Sequence, residues 1–209
     1  MESGTIATRK LQIGKKCSVG VSTSWQKISF THPFTDTPAF LTSVQTVNNE
    51  NGLPSSSSQP FFAVTVNSVK TVEAWVSLDM AETSNYGGDQ VDQDEVVGYI
   101  AIQKGSATLQ DSTTGTEVKM AAAVSGTTVK GWSNGKYTVS LPTNLPVTTP
   151  LALASQNTRR GGDGGWARIR GVGSDYVKVS VDEDQSCDSE RSHTSEIMSV
   201  CAFAGPCVL

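Results

Sequence analysis

The sequence has little of what marks membrane proteins and nucleic-acid-binding proteins. No apolar run approaches the roughly 18 residues that a membrane-spanning helix needs. Only 17% of the 209 residues are charged, and the formal net charge is -4. An acidic chain lacks the positive surface that binds phosphate backbones. We therefore expect no membrane span and no nucleic-acid partner.

The residues that bind metals are also scarce. There are two histidines, His32 and His193, and four cysteines, Cys17, Cys187, Cys201 and Cys207. The cysteine spacing fits no zinc pattern, so we expect no metal and no cofactor. The cysteines are interpreted as buried or surface thiols. The alternative is one disulfide near the C-terminus, which requires an oxidising compartment.

The chain does contain an internal repeat. The matched segments are TPAFLTSVQT (37–46) with TPLALASQNT (149–158), AWVSLD (74–79) with VKVSVD (177–182), and EVVGYIAI (95–102) with EIMSVCAF (196–203). The offsets are 112, 103 and 101 residues, so the loops alone differ in length. Ordered anchors at a nearly constant offset predict two homologous domains, residues 1–104 and 105–209.

The matched segments have the pattern of β-strands. EAWVSL alternates apolar and polar residues, VVGYIAI is apolar almost throughout, and Gly, Pro, Asn and Ser clusters bound the strands. TEVKMAAAV (116–124) is the best helix candidate, but we interpret it as a strand in the place of residues 10–21 of the first copy. The sequence predicts an all-β chain with two homologous antiparallel β-sandwich domains in tandem, related by a pseudo-twofold axis.

An acidic loop precedes the last strand in each copy, at residues 79–95 in the first and 182–196 in the second. Clustered carboxylates are calcium ligands, and a calcium-dependent adhesion module is one interpretation of these loops. The EF-hand spacing is absent, however, and the pattern favours solvated loops that prevent indiscriminate pairing of the sheet edges. Glu95 and Glu196 recur at the start of the last strand. We expect them to form hydrogen bonds there or to lie at an interface.

His193 lies near Glu196 and between Ser192 and Ser195, which raises the question of nucleophilic catalysis. A catalytic serine needs a base, an orienting third group and an oxyanion hole. No G-x-S-x-G motif is present, and the first copy has no histidine in this loop. We interpret His193 as a solvated or strand-edge residue and expect no enzymatic activity.

The segment RRGGDGGW (159–166) combines arginine, glycine and tryptophan. A phosphate-binding loop would be followed by a helix, but the strand pattern WARIRGV follows here. We predict a flexible hairpin that carries arginines to a neighbouring subunit, and an apolar C-terminal tail that docks in a groove. The predicted interface residues are Arg159, Arg160, Trp166, Pro206, Cys207, Val208 and Leu209.

Several short motifs resemble the H-type lectin-like group of small β-sandwiches. They are ESGTI at the start, W-x-x-I-x-F at 25–30, F-x-x-T-P at 34–38, EVVGYIAI at 95–102, and TPLALA, VKVSVDED and ERSHTSEIMSVCAF in the second copy. The resemblance covers most of the chain and implies carbohydrate binding through loop residues. The candidate ligand residues are then Asn48, Asn49, Asn157, Arg159 and Asp163.

The paired layout, low charge and Gly- and Ser-rich composition also resemble diatom pyrenoid shell proteins. That resemblance implies a homo-oligomer that forms a sheet or tube, with one face against a Rubisco condensate in the chloroplast stroma, at the pyrenoid periphery. Without it, an extracellular or cytoplasmic location stays open. We expect a non-enzymatic structural protein that self-assembles, with a carbohydrate-binding lectin as the alternative.

Overall fold

The computed structural model describes residues 1–12, 24–49, 62–80, 91, 93–110, 112–183, 185 and 189–205. Their regular structure is β-strand, apart from one short 3-10 turn at Trp132–Asn134. The strands are β1 (Glu2–Thr8), β2 (Leu11–Gln12), β3 (Gln26–Ser29), β4 (Ala39–Val44), β5 (Ala63–Val69), β6 (Glu73–Asp79), β7 (Glu95–Ile102), β8 (Gly105–Gln110), β9 (Glu117–Val124), β10 (Tyr137–Ser140), β11 (Leu151–Gln156), β12 (Trp166–Val172), β13 (Tyr176–Asp182) and β14 (Met198–Ala204). The predicted all-β class is confirmed. In this described part of the chain, no helix is long and apolar enough to cross a membrane.

The first half of the chain forms two sheets. In one sheet, β7 lies between β1 and β4 and is antiparallel to both. In the other, β6 pairs with both β3 and β5 over Ala74–Val76 and therefore lies between them. The two-residue strand β2 also pairs with β6, and among the named strands of the described residues this is the only parallel pair.

The second half forms two sheets with a closely similar order. Strand β14 lies between β9 and β11, with β8 outside β9, and β13 lies between β10 and β12. The orders β9-β14-β11 and β10-β13-β12 match β1-β7-β4 and β3-β6-β5. A register irregularity also recurs, between Val66 and Ser68 in β5 and between Ile169 and Gly171 in β12.

The segment TEVKMAAAV is a strand, as predicted, but its predicted place in the first copy is wrong. Strand β9 lies beside β14 as β1 lies beside β7, so its partner by position is Glu2–Thr8. Within residues 10–21, Leu11–Gln12 forms β2 beside β6, and residues 13–21 lie outside the described part. Sequence order misled the alignment because the second half carries the additional strand β8.

Each pair of sheets encloses an apolar core, because alternate residues of each strand point inward. In β13, Val177, Val179 and Val181 are fully buried and pack with Met198 and Val200 of the facing sheet. The core of the first half contains Ile28, Phe30, Phe40, Val66, Ala74, Val76 and Ala101. Each such valine or phenylalanine contributes about 1.5–3 kcal/mol through burial, so these cores hold each sandwich together.

A further apolar cluster joins the two halves. The outer face of the β1-β7-β4 sheet supplies Ala39, Leu41 and Ile102, and the outer face of the β11-β14-β9 sheet supplies Met120, Ala122 and Cys201. Cys201 is a free, fully buried thiol, and burial raises its pKa to about 12. The other three cysteines lie outside the described residues. The two halves are thus packed against each other rather than separated by a linker.

Candidate functional site

The two glutamates at the start of the last strands, Glu95 and Glu196, are fully buried. A buried carboxylate is costly unless hydrogen bonds replace its water. Each glutamate meets this requirement with donors from the loop that follows β4 or β11, so each loop is tied to the start of β7 or β14. The expectation that these acids form hydrogen bonds at the start of the strand is confirmed.

Glu95 accepts four hydrogen bonds. The Thr46 hydroxyl and the Asn48 N–H (3.1 Å) donate to one carboxylate oxygen, and the Asn49 N–H (2.8 Å) and Asn49 Nδ2 (2.7 Å) donate to the other. Burial alone would raise the pKa of Glu95, but the bonds from Thr46, Asn49 and Asn48 outweigh it and lower the pKa below its ordinary value. The carboxylate is therefore charged and satisfied.

Glu196 has matching partners. The Thr158 hydroxyl donates to one oxygen, and the N–H groups of Arg160 (2.7 Å) and Gly161 (2.9 Å) donate to the other. Thr46, the Asn48 N–H and the Asn49 N–H of the first half thus have counterparts at Thr158, Arg160 and Gly161, each 112 residues later. Both threonine hydroxyls also accept an N–H bond of 2.9 Å, from the residue that follows the glutamate.

The fourth donor differs between the halves. In the first half it is the Asn49 side chain, whereas in the second half it is His193, whose Nε2 lies 3.0 Å from Glu196 Oε1. Gly161 stands at the position of Asn49 and has no side chain. A Cβ on Gly161 would collide with the His193 ring, so the glycine makes room for the imidazole.

His193 is not solvated, and that prediction is wrong. Its side chain is 1% exposed, with Nδ1 hydrogen-bonded to Glu183 and Nε2 to Glu196. Burial would lower the pKa of His193, but the bonds to Glu183 and then Glu196 outweigh it and raise the pKa to about 9. The imidazolium therefore donates to both carboxylates at neutral pH. The pattern of the sequence could not show this, because Glu183 follows β13 and Glu196 precedes β14, and only the fold brings both carboxylates to the ring.

The buried ion pair between Arg159 and Asp79 connects the halves. Arg159 Nε lies 2.7 Å from Asp79 Oδ2, and the two side chains are 10% and 3% exposed. Nearby, the unpaired edge of β4 rests on the second half: the Phe40 N–H donates to Ser199 Oγ (2.9 Å) and the Thr42 N–H to Ser155 Oγ (3.1 Å). These contacts satisfy an edge that would otherwise expose its backbone groups.

Several predicted site residues have structural roles inside the chain. Asn157 is buried and its Nδ2 donates to Ser199 Oγ, while Asn48 Nδ2 donates to the Asp94 carbonyl (2.7 Å). Asn49 is bound to Glu95, and Arg159 to Asp79. The exposed Arg160, the half-buried Trp166 and the half-buried Asp163 keep accessible surface. Pro206, Cys207, Val208 and Leu209 lie outside the described residues.

Sequence reasoning missed a stack of two arginines on one tryptophan. The guanidinium carbons of Arg170 and Arg191 lie 3.3 and 4.2 Å from the ring centroid of Trp132. Asp182 pairs with Arg191 and with Arg168, the latter at 2.9 Å. The alternation in WARIR, which puts Arg168 and Arg170 on one face of β12, was the available signal. In the described residues, no cluster of three or more His, Cys, Asp or Glu is arranged to hold a metal.

An open groove of about 540 Å³ lies where the two halves meet. Its floor is the outer face of the β1-β7-β4 sheet, and β11 forms one wall. The lining includes Thr5, Ser43, Gln45, Ile100, Leu153 and Ser155. Its lining combines apolar side chains with hydroxyl groups, which can contact either an extended peptide or a sugar.

Replacing each buried glutamate tests its anchoring role. We expect Glu95→Gln and Glu196→Gln each to lower the free energy of unfolding by about 2–4 kcal/mol, because the N–H groups bound to each buried carboxylate lose their charged acceptor. Denaturant unfolding measures this effect. Glu117→Gln, at the exposed first residue of β9, is the control and should change little. Equal stability of all three variants would contradict the anchoring role.

The His193 cluster predicts that stability falls at alkaline pH. A pKa raised from 6.5 to about 9 contributes stability that is complete below about pH 6.5 and is lost as the pH rises through 9. The expected loss is about 3 kcal/mol, from about 1.4 kcal/mol per pKa unit. Unfolding measured from pH 6 to pH 10 should show this loss in the wild type and in the exposed-site control His32→Gln. His193→Gln should lack it, and an identical pH profile for His193→Gln and wild type would refute the role.

Comparison with known proteins gives no relative from which a function could be transferred. The chain matches no protein-family model, no curated protein and no solved structure. The resemblances to H-type lectin-like proteins and to pyrenoid shell proteins therefore stay predictions. The function has to be inferred from the buried contacts and exposed surfaces of the chain itself.

Proposed function

We propose that this protein is a non-enzymatic structural protein that self-assembles, and that its unit is a pair of homologous β-sandwiches. The observation that carries the proposal is the exposure of large apolar side chains on regular strands. Leu151, Leu153 and Ile100 are 56%, 45% and 38% exposed. Leucine and isoleucine grouped on a sheet surface favour a contact with another protein surface.

The two halves share features that support their common origin. The strand orders agree, a register irregularity recurs in β5 and β12, and both loops are anchored on a buried glutamate. The glutamate contacts are the most specific of these features, because the same atoms are paired at a constant offset: Thr46 and Thr158 hydroxyls, and the N–H groups two and three residues later. A shared fold alone does not require this.

The polar residues that the sequence predicts as ligand contacts also support a structural role for this protein, because they are bound within the chain. Asn48, Asn49, Asn157 and Arg159 form hydrogen bonds or ion pairs within the chain. The side-chain nitrogens of these residues are bound within the fold, and the groove beside the junction exposes the apolar residues Ile100 and Leu153. A protein in which residues 46–49 and 157–161 are anchored internally and the sheets expose leucine is suited to association through its sheets.

The resemblance to pyrenoid shell proteins suggests a biological setting for this assembly. In that setting the chain would form a sheet or tube around a Rubisco condensate in the chloroplast stroma. Low charge is compatible with close tiling, because 17% charged residues give weak repulsion between copies.

Carbohydrate binding is the second candidate function, and one observation favours it. The groove beside β11 carries the hydroxyls of Thr5, Ser43 and Ser155 and the amide of Gln45, next to apolar side chains. Concave sites that combine apolar walls with a few polar groups are typical of small-molecule ligands. In this candidate function the sugar would bind in the groove and not at the loop residues that the sequence predicts.

Electron microscopy of the purified protein tests the proposed function. We expect negatively stained samples to contain sheets, tubes or other extended assemblies, and light scattering to show a mass that grows with protein concentration. Glycan-array binding is measured on the same sample. A monodisperse particle at every concentration and ionic strength would contradict self-assembly, and specific sugar retention by that particle would favour the lectin.

A further inference from the structure

The two halves contribute unequally to their own junction. In β4, Ala39 and Leu41 are 0% and 7% exposed because they pack on the second half. The residues 112 positions later in β11, Leu151 and Leu153, are 56% and 45% exposed. The first half thus buries Ala39 and Leu41 of its edge strand, and the second half leaves the corresponding Leu151 and Leu153 exposed.

The sheet faces show the reverse inequality. On the outer face of the β11-β14-β9 sheet, β4 covers part of β14 and β9, where Cys201 and Ala122 are 0% and 1% exposed. On the outer face of the β1-β7-β4 sheet, Ile100 stands at the position of Cys201 and is 38% exposed. Ser3 pairs with Ile100 as Ala122 pairs with Cys201, and Ser3 is also exposed. The open groove lies on the part of this face that the junction leaves uncovered.

The two edge strands also differ in their backbone hydrogen bonds. The outer N–H groups of β4 have acceptors in the second half, whereas those of β11 have none among the described residues. The N–H groups of Phe40 and Thr42 point away from β7 and donate to Ser199 and Ser155. The corresponding residues of β11 are Ala152 and Ala154. Their N–H groups point away from β14, and across the described residues neither donates a hydrogen bond to a side chain or loop. An uncovered edge with exposed leucines invites pairing with another chain.

We infer that β11 of a second copy of this chain docks on the outer face of the β1-β7-β4 sheet, in the groove. The docked β11 would lie on that sheet as β4 lies on the β11-β14-β9 sheet within one chain. The junction within one chain is the basis for choosing β11. There, the edge strand β4 covers the outer face of a sheet with the apolar side chains of Ala39 and Leu41. The inference rests on the proposed function and names the contact through which copies associate.

The geometry of the contact explains how assembly can continue. The proposed contact sets an edge on one copy against a face on another, so the two surfaces are unlike. Such heterologous contacts form open arrays when their rotation does not close a ring. Leu153 of the receiving copy forms part of the groove wall, so the incoming strand would lie beside the receiving copy's own β11.

Charge substitutions on the two surfaces test the inference. Leu151→Asp alters the edge strand at a residue that does not line the groove, and Ile100→Asp alters the face. Both positions are exposed in one chain, so far-UV circular dichroism should match the wild type. Each variant should raise the dissociation constant of association at least about 30-fold, the effect of a 2 kcal/mol hot spot. Leu109, on β8 outside the groove, is 38% exposed like Ile100, so Leu109→Asp is the matched control and should associate like the wild type.

Mixing the two variants distinguishes edge-on-face contact from general loss of hydrophobicity. Each variant keeps one intact surface, so an equimolar mixture should form pairs by analytical ultracentrifugation where each variant alone stays monomeric. If the wild type assembles and neither variant changes its mass, the inference is wrong while the proposed function stands. A wild type that is monomeric at all concentrations overturns the proposed function itself.

Discussion

The fold depends on a buried carboxylate that accepts backbone N–H groups. Glu95 and Glu196 are each fully buried, and each holds the loop after one edge strand against the start of the central strand of the same sheet. Residues 46–49 and 158–161 belong to no strand, so without the carboxylates their partly buried N–H groups would lose their acceptors. The anchored loop after β11 then positions Arg159, whose ion pair with Asp79 connects the two halves.

The contacts between the halves bury different surfaces on each half, although the two strand orders are similar. Arg159 forms an ion pair with Asp79, and the Ser199 and Ser155 hydroxyls satisfy the edge of β4. Because one edge and one face are used inside the chain, a counterpart edge and a counterpart face remain exposed. The same interactions that stabilise the single chain therefore leave it with two unlike apolar surfaces, and the proposed assembly is a consequence of this unequal burial.

The sequence predicts the strands well because their alternation is local. It also finds the recurring glutamates, since each lies beside an aligned strand. It does not predict the burial of His193, the pair of Arg159 with Asp79 or the stack on Trp132, because these join residues that are 10 to 80 positions apart in sequence. The substitution of Asn49 by Gly161 is visible in the alignment, but its meaning depends on an imidazole that arrives from another loop.

Amide hydrogen exchange tests the anchoring by Glu95 and Glu196 most directly. The N–H groups of Asn49 and Gly161 lie in loops, and both donate to a buried carboxylate. Residue-resolved exchange should show them protected to a degree close to that of the core strand residue Val177, while the exposed loop residue Asn144 exchanges fast. Exchange of Asn49 and Gly161 as fast as Asn144 would contradict the anchoring.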